Sequence, residues 1–369
     1  MTTNSRMVTK MKAAVKLIEG CISPEGVGIW ASRERYAHQC WTRDFVLAAA
    51  PALRLMGRED VVSAQMTQLI AQQDANGKVP ILYLDDPVAF LKAKIDRSIQ
   101  EGKWSFMLKQ FFEPGSVENL SPWTKDSEFL FAIALLEHAD VPTKTDKGLR
   151  NLAIWKALTY VSEHLMADGL VLGADWRDTN TWLHDAALLS NNCLLFHAFQ
   201  HHGWTSAANE LKEQINRAFW TGTGYRDYLG VESADTFGQA LGVIHGVIPP
   251  DRYQAVLESF ARLHTPRGYL SNNCRPNPTT PEERKLLRLK RMKQSFVIWP
   301  FIHGYAVLAL LKMGEPKLAE RAFREYTDLN GFWEYYDPET GKGYGAKEQL
   351  WSAALYLSAA NALGHNVQS

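Results

Sequence analysis

Little in this chain points to secretion, a metal or a membrane. It has four cysteines in 369 residues, Cys21, Cys40, Cys193 and Cys274. They show no C-x-x-C spacing and have no histidine cluster beside them, which argues against a zinc ribbon or a disulfide framework and for free thiols in a reducing compartment. An excess of charge of one sign is missing too. Forty basic residues balance 40 acidic ones, so nothing global points to nucleic acid or an anionic membrane surface. Long apolar runs are absent. The longest, Phe45 to Leu55, is too short for a bilayer and contains Pro51 and Arg54. Met1 to Lys12 is polar and has no apolar region of the kind that precedes a cleavage site. A phosphate-binding glycine loop, H-E-x-x-H and G-x-S-x-G are all lacking. The expectation is a cytoplasmic protein with no metal or other cofactor, no nucleic-acid partner and no membrane partner. Its oligomeric state is left open.

Strand patterning is scarce as well, and helical periodicity stands in its place. It predicts about twelve helices, near 5–20, 43–56, 59–74, 124–139, 145–166, 182–202, 205–219, 235–244, 250–263, 294–313, 315–327 and 347–364. Short turns such as Met56-Gly57, His202-Gly203 and Met313-Gly314 separate many of them. The connections into every second helix are different, because they are rich in aromatic and polar residues. They are Trp41-Thr42-Arg43-Asp44, Trp123-Thr124-Lys125-Asp126, Asp175-Trp176-Arg177-Asp178, Asp235-Thr236-Phe237, Gln294-Ser295-Phe296 with Trp299, and Gly345 to Trp351. The simplest geometry is all-α: a closed (α/α)6 toroid of six helical hairpins, with all six decorated connections at one end. Helix N-termini gathered there add partial positive charge and free N–H groups. The whole chain, 1–369, reads as one such domain. Two long connections, 77–122 and 265–293, interrupt the plan and are expected to act as lids. The basic run at 282–293 is read as a solvated helix or part of the second lid.

The chemistry is suggested by carboxylates set among aromatics. There are 12 tryptophans, and flat indole faces suit the C–H-rich faces of sugar rings. Glu334 stands in Gly331-Phe332-Trp333-Glu334-Tyr335-Tyr336-Asp337, and Asp175 follows Leu170 to Ala174 and precedes Trp176. Two carboxylates on separate segments are what cleavage of a glycosidic bond requires, one as acid and one as base or nucleophile. An apolar setting would raise the pKa of Asp175 and suit it to protonate the leaving oxygen. Helix capping for Asp175 and Asp178, a solvated turn for Glu334, and a local ion pair for Arg43-Asp44 are the bland alternatives.

The residues also resemble a known group. Trp41-x-Arg43-Asp44-Phe45, Trp299-Pro300, Leu311-Lys312-Met313-Gly314-Glu315-Pro316 and Trp333-Glu334-Tyr335-Tyr336-Asp337 resemble neutral/alkaline invertases. Glu334-Tyr335-Tyr336-Asp337-Pro338-x-Thr340-Gly341 and Trp351-Ser352-Ala353-Ala354 are similar to the processing α-glucosidase and mannosylglycerate hydrolase family, whose general plan trehalases share. The resemblance runs from about residue 30 to the end and is most specific in the last 75 residues and at Trp41 to Phe45. It implies a toroid that hydrolyses small α-linked glycosides with inversion, with Asp175 as acid and Glu334 as base. Inversion sets the two carboxylates about 6.5–9.5 Å apart, leaving room for water. Trp41 and Asp44 are implied to line the sugar subsite.

The resulting substrate set is Trp41, Arg43, Asp44, Trp123, Asp126, Trp176, Arg177, Asp178, Gln294, Trp299, Trp333, Tyr335 and Trp351, with the partner a small carbohydrate. The glucosidases usually follow their acid with a small polar residue and proline. Here Trp176-Arg177-Asp178 stands instead, and Arg177 is a candidate reader of a charged aglycone. Three alternatives remain: sucrose cleavage, a sugar epimerase or lyase using a base such as His303, and a carbohydrate-binding ring without catalysis.

Overall fold

A computed structural model describes residues 3–100, 124–178, 180–273 and 295–367. The helices are α1 (Thr3–Cys21), α2, α3 (Glu59–Ala71), α4 (Pro87–Gln100), α5 (Ser127–Glu137), α6 (Lys147–His164), α7 (Leu189–His202), α8 (Thr205–Ala218), α9 (Thr236–Ile244), α10 (Tyr253–Leu263), α11 (Pro300–Lys312), α12 (Pro316–Asp328) and α13 (Leu350–Ala362). Helix α2 is composite: Thr42–Asp44, a π-helical turn Phe45–Ala49, then Ala50–Leu55. Pro51 cannot donate a backbone hydrogen bond, which suits it to the first turn of the last piece.

Packing confirms the ring. Helices α2, α5, α7, α9, α11 and α13 touch in that order, and α13 returns to α2. Each inner helix carries one outer helix: α3 on α2, α6 on α5, α8 on α7, α10 on α9, α12 on α11 and α1 on α13. Sequence pattern separates the two rings. Inner α5 (SEFLFAIALLE) and α11 (PFIHGYAVLALLK) are buried over most of their surface. Outer α12 (PKLAERAFREYTD) buries one stripe of Ala319, Ala322, Phe323 and Tyr326, as expected of a helix with one side in water. Burying a large apolar side chain contributes about 1.5–3 kcal/mol. The Phe129, Phe237 and Phe301 side chains, all buried on inner helices, carry much of this load.

Four two-stranded antiparallel sheets escape the helical reading: β1 (Gln39–Trp41) with β2 (Leu82–Leu84), β3 (Met166–Ala167) with β4 (Leu170–Val171), β5 (His264–Thr265) with β6 (Gly268–Tyr269), and β7 (Tyr335–Tyr336) with β8 (Gly343–Tyr344). Every one of these strands lies in a connection from an outer to an inner helix. The decorated connections therefore gather at one face, where the inner helices begin.

Four inner helices start three or more residues later than periodicity predicts. Thr124 is drawn into a β-bridge with Ala174, so α5 begins at Ser127. Leu188 and Ala187 are drawn into β-bridges with Tyr228 and Leu172, so α7 begins at Leu189. Pro300 forces Trp299 into an extended conformation, so α11 begins at Pro300. Gln349 is likewise extended before α13. In the expected lid at 77–122, β2 and α4 are described, and α4 exposes Val88, Leu91 and Ile99. Residues 101–123 and 274–294, with Trp123, Cys274, Gln294, nearly half of the first expected lid and most of the second, lie outside the described residues. Cys21, Cys40 and Cys193 are buried free thiols. No described helix is long and apolar enough to cross a membrane.

Candidate active site

Glu334 sits just before β7, on a loop bonded at almost every residue. Its backbone N–H donates to Ala346 O at 2.8 Å, and the Ala346 N–H returns a bond to Glu334 Oε2 at 2.9 Å. The Tyr36 hydroxyl donates to Glu334 Oε1 at 3.3 Å, and Arg35 approaches Oε2 at 3.9 Å. Gly345, at φ +80°, lies against the carboxylate, where a Cβ would fall 2.1 Å from Oε2. Only glycine allows both that backbone angle and that approach. The side chain of Glu334 is 15% exposed, so it is held on a few bonds with one edge open.

Asp175 is held quite differently. It follows β4 and is buried. Arg177 donates to it from its backbone N–H (3.0 Å), Nε (2.9 Å) and Nη2 (2.9 Å), and Ser190 Oγ donates at 2.6 Å. Nη1 of Arg177 reaches Asp227 at 2.6 Å. Burial by itself would raise the carboxyl of Asp175, but the Arg177 guanidinium and these hydrogen bonds outweigh it and hold the group below the usual carboxylate range. The expectation of a raised pKa from apolar surroundings is thus overturned, because the sequence neighbour Arg177 folds back onto it. Arg177 is itself committed, so the aglycone-reading role expected of it has no free guanidinium face. Burial pushes Asp227 and Asp235 upward, against the pull of Arg177. Asp235 also caps α9 by accepting from the Phe237 and Gly238 N–H groups.

A third carboxylate cluster joins the two segments. Asp44, buried on α2, accepts from Gln349 Nε2 at 3.3 Å. Burial raises its pKa to about 7; Arg43 opposes the rise, and the charges of Glu334 and Asp178 add to it. The Tyr36 hydroxyl is also pushed up, first by burial and then by Glu334, with Asp178 and Asp44 contributing. Asp178, three residues beyond Asp175 and half-buried, therefore projects its field onto the same spot as Glu334 and Asp44. Arg43 and Asp126 form a buried bidentate pair at 2.5 and 3.0 Å. Both are substrate contacts in the sequence reading, and here both spend their charge on each other, bracing α2 against α5.

Aromatics wall the site. Trp299 stacks on Tyr335 (centroids 5.4 Å), meets Trp176 at 4.9 Å and meets Trp351 edge-on at 5.6 Å. Trp351 stacks on Phe301 at 4.2 Å. Trp333 is pinned by Gly343, whose absent Cβ leaves room for the indole, and its carbonyl accepts from Ser352 Oγ at 2.9 Å. The buried indole N–H groups of Trp41, Trp176 and Trp351, and Oε1 of Gln349, have no hydrogen-bond partner among the described residues. Buried polar groups are normally satisfied, so three donors and one acceptor ready for hydroxyl groups mark this wall as a ligand site.

His303 is not part of it. It is fully buried between α11 and α12, accepting from the Tyr269 N–H and bonded to Ala322 O, and burial lowers its pKa to about 4. Tyr36, Gln349, Ser190 and Asp227 belong to the site region, and sequence reasoning misses them. Tyr36 lies in an unpatterned loop, and Ser190 and Asp227 have only tertiary partners. Gln349, standing before Trp351 in a decorated connection, is the one with a usable signal. Among the described residues no group of three or more metal-ligating side chains is positioned to hold an ion.

Comparisons with known proteins agree with the helical ring. Residues 297–352, which carry Glu334, match the family model of the mannosylglycerate hydrolase MGH1-like glycoside hydrolase domain. No curated protein sequence matches the chain. Among solved structures, a glycosidase variant in complex with glucose superposes with a TM-score of 0.66 at 15% identity, covering 98% of this chain and 97% of that one. A GH63 mannosylglycerate hydrolase from Thermus thermophilus, in complex with Tris and D-glycerate, superposes with a TM-score of 0.62 at 14% identity, covering 94% of this chain and 99% of that one. The architecture is that of the toroid glycosidases. Together with the matched segment it puts the chain in the glycoside hydrolase class.

Proposed function

We propose that the whole chain works as one catalytic domain, an inverting hydrolase of a small α-linked glycoside, with Glu334 as general base and Asp178 as general acid. The observation that carries this reading is the Glu334 carboxylate, held by the Ala346 N–H and the Tyr36 hydroxyl with one edge open, beside an indole wall with unmet donors. Asp178, half-buried three residues beyond Asp175, adds its charge to that of Glu334 at Tyr36 and Asp44. Asp175 fits the acid poorly, since a general acid must hold a proton near neutral pH and Asp175 is kept ionised by Arg177. Asp175 and Arg177 instead fix the turn on which Asp178 stands.

In this mechanism Asp178 protonates the glycosidic oxygen as the C–O bond breaks. Glu334 takes a proton from a water that attacks the anomeric carbon from the opposite face. Asp44 and Gln349 bind ring hydroxyls, and Trp41, Trp176, Trp299, Trp333, Tyr335 and Trp351 enclose the sugar. The cleaved sugar leaves with its configuration reversed, so an α-glycoside yields a β-sugar. The relative with bound D-glycerate makes a glycosylated small acid a reasonable member of the substrate panel, and sucrose is the second. The epimerase alternative loses its base with the burial of His303.

The test is incubation with sucrose, trehalose, kojibiose, nigerose, isomaltose, glucosylglycerate and mannosylglycerate, followed by proton NMR. The expected result is β-sugar released from one α-glycoside, with kcat lowered about 10³-fold or more by Glu334→Gln. Release of α-sugar would refute inversion. Binding of a sugar with no turnover of any glycoside would favour the non-catalytic reading.

A further inference from the structure

We infer that Lys10, on the outer helix α1, is a positioning residue for Glu334, clamping the chain end from which the Glu334 loop departs. The inference rests on Glu334 being the base. Lys10 is buried, and its Nζ donates to three backbone carbonyls: Tyr326 O at 2.6 Å, Thr327 O at 3.2 Å and Leu329 O at 2.5 Å. An ammonium has three N–H groups, and all three are used. The carbonyls at the end of α12 have no partner within the helix, and the helix dipole makes them attractive to a cation. The rings of Phe332, Tyr356 and Tyr326 surround the ammonium at 5.2, 5.5 and 5.9 Å. Phe332 is two residues before Glu334.

The chain between the clamp and Glu334 has little slack. Tyr336 Oη shares its one O–H between the carbonyls of Asn330 (3.0 Å) and Gly331 (2.9 Å) and accepts from the Trp333 N–H (3.1 Å). The Gln349 N–H donates to Phe332 O at 2.8 Å. A shift at Leu329 is therefore passed along a bonded strip to Glu334. Burial lowers the Lys10 ammonium to about 7, while Asp328 acts to raise it. The other polar or charged groups around it are the hydroxyls of Tyr326 and Tyr356, the buried His303, and Arg6, which pairs with Asp328 at 3.5 Å.

Arg150 is the control. It gathers four carbonyls, of Leu135, His138, Ala139 and Val141, at the end of α5 on the face away from the candidate site. The experiment compares Lys10→Met, Lys10→Arg and Arg150→Met for thermal stability, kcat, KM and hydrogen–deuterium exchange of the folded protein. The inference expects Lys10→Met to lower kcat about 10–100-fold, since a misplacement near 1 Å costs that much. KM should stay within about twofold, and exchange should rise in 329–346. Lys10→Arg should recover most of kcat, and Arg150→Met should lose stability but not kcat. Unchanged exchange in 329–346, or an effect on kcat no larger than that of Arg150→Met, would overturn it. If the wild type cleaves no glycoside, the base assignment fails, and the exchange measurement still decides whether Lys10 holds the loop.

Discussion

The Glu334 loop and the Asp175 turn are both acidic-aromatic runs on the same face, and they treat their carboxylates in opposite ways. Glu334 is held by one backbone N–H and one phenol, with an edge open. Asp175 is held by four donors, three of them from Arg177, and is closed off. A carboxylate that must exchange protons with substrate or water needs the first kind of setting. One that fixes backbone geometry is better served by the second, because a buried ion pair is costly to break and tolerates few alternative arrangements. Similarity of local sequence thus says little about which acid reacts. The partner of each carboxylate decides.

The sharpest way to break this comparison is to neutralise Asp178 and Asp175 separately. Asp178→Asn is expected to lower kcat about 10³-fold while the thermal midpoint stays close to wild type. Asp175→Asn should do the reverse. It leaves Arg177 with Asp227 as its buried counter-charge, and breaking such a pair costs about 3–5 kcal/mol, so the midpoint should fall clearly while kcat falls less. The stability that Asp175 contributes is present above its ordinary pKa near 4 and is lost as pH falls through its depressed folded value. In Asp175→Asn that acid-side loss should be gone. Enzyme kinetics and thermal unfolding on both variants decide the point. Loss of activity in Asp175→Asn without loss of stability would restore Asp175 as the acid.

The same comparison explains what the sequence could and could not reveal. Ring order was legible because it depends on local signals: short glycine turns on one side, decorated connections on the other, and two kinds of helix pattern. Glu334 was legible as a candidate because its aromatic neighbours are its sequence neighbours. The partners of Asp175 were only half legible. Arg177 is two residues away, yet whether its side chain turns to Asp175, to Asp227 or to a ligand is set by where Asp227 and Ser190 arrive from distant segments. Pairing of Arg43 with Asp126 is equally tertiary. The small sheets were hidden because two- and three-residue strands carry too little alternation to register.

A smaller effect sharpens the account of Asp44, the carboxylate between the two regions. Its pKa is raised from 3.8 to about 7. A raised acid binds its proton more tightly in the folded state, so stability is highest below about pH 4 with respect to this group and declines as pH rises toward 7. At about 1.4 kcal/mol for each pH unit, the full decline is on the order of 4 kcal/mol. Asp44→Asn cannot ionise. Its thermal midpoint should vary less between pH 5 and pH 8 than that of the wild type, and at pH 8 it should be the more stable of the two. An unchanged slope would mean that Asp44 is already relieved by Arg43 and Gln349, and that the three carboxylates are less strongly coupled than proposed.

Tyr36→Phe should produce the smallest change. The Tyr36 hydroxyl donates one long bond to Glu334, at 3.3 Å, and a hydrogen bond to a charged group contributes about 1.5–3 kcal/mol at best. At that length the lower end applies, so kcat should fall about tenfold, with little change in stability. If Tyr36 instead serves mainly to bind sugar, KM should rise and kcat should stay close to wild type. The open edge of Glu334 would then be all that distinguishes it from the sealed carboxylate of Asp175.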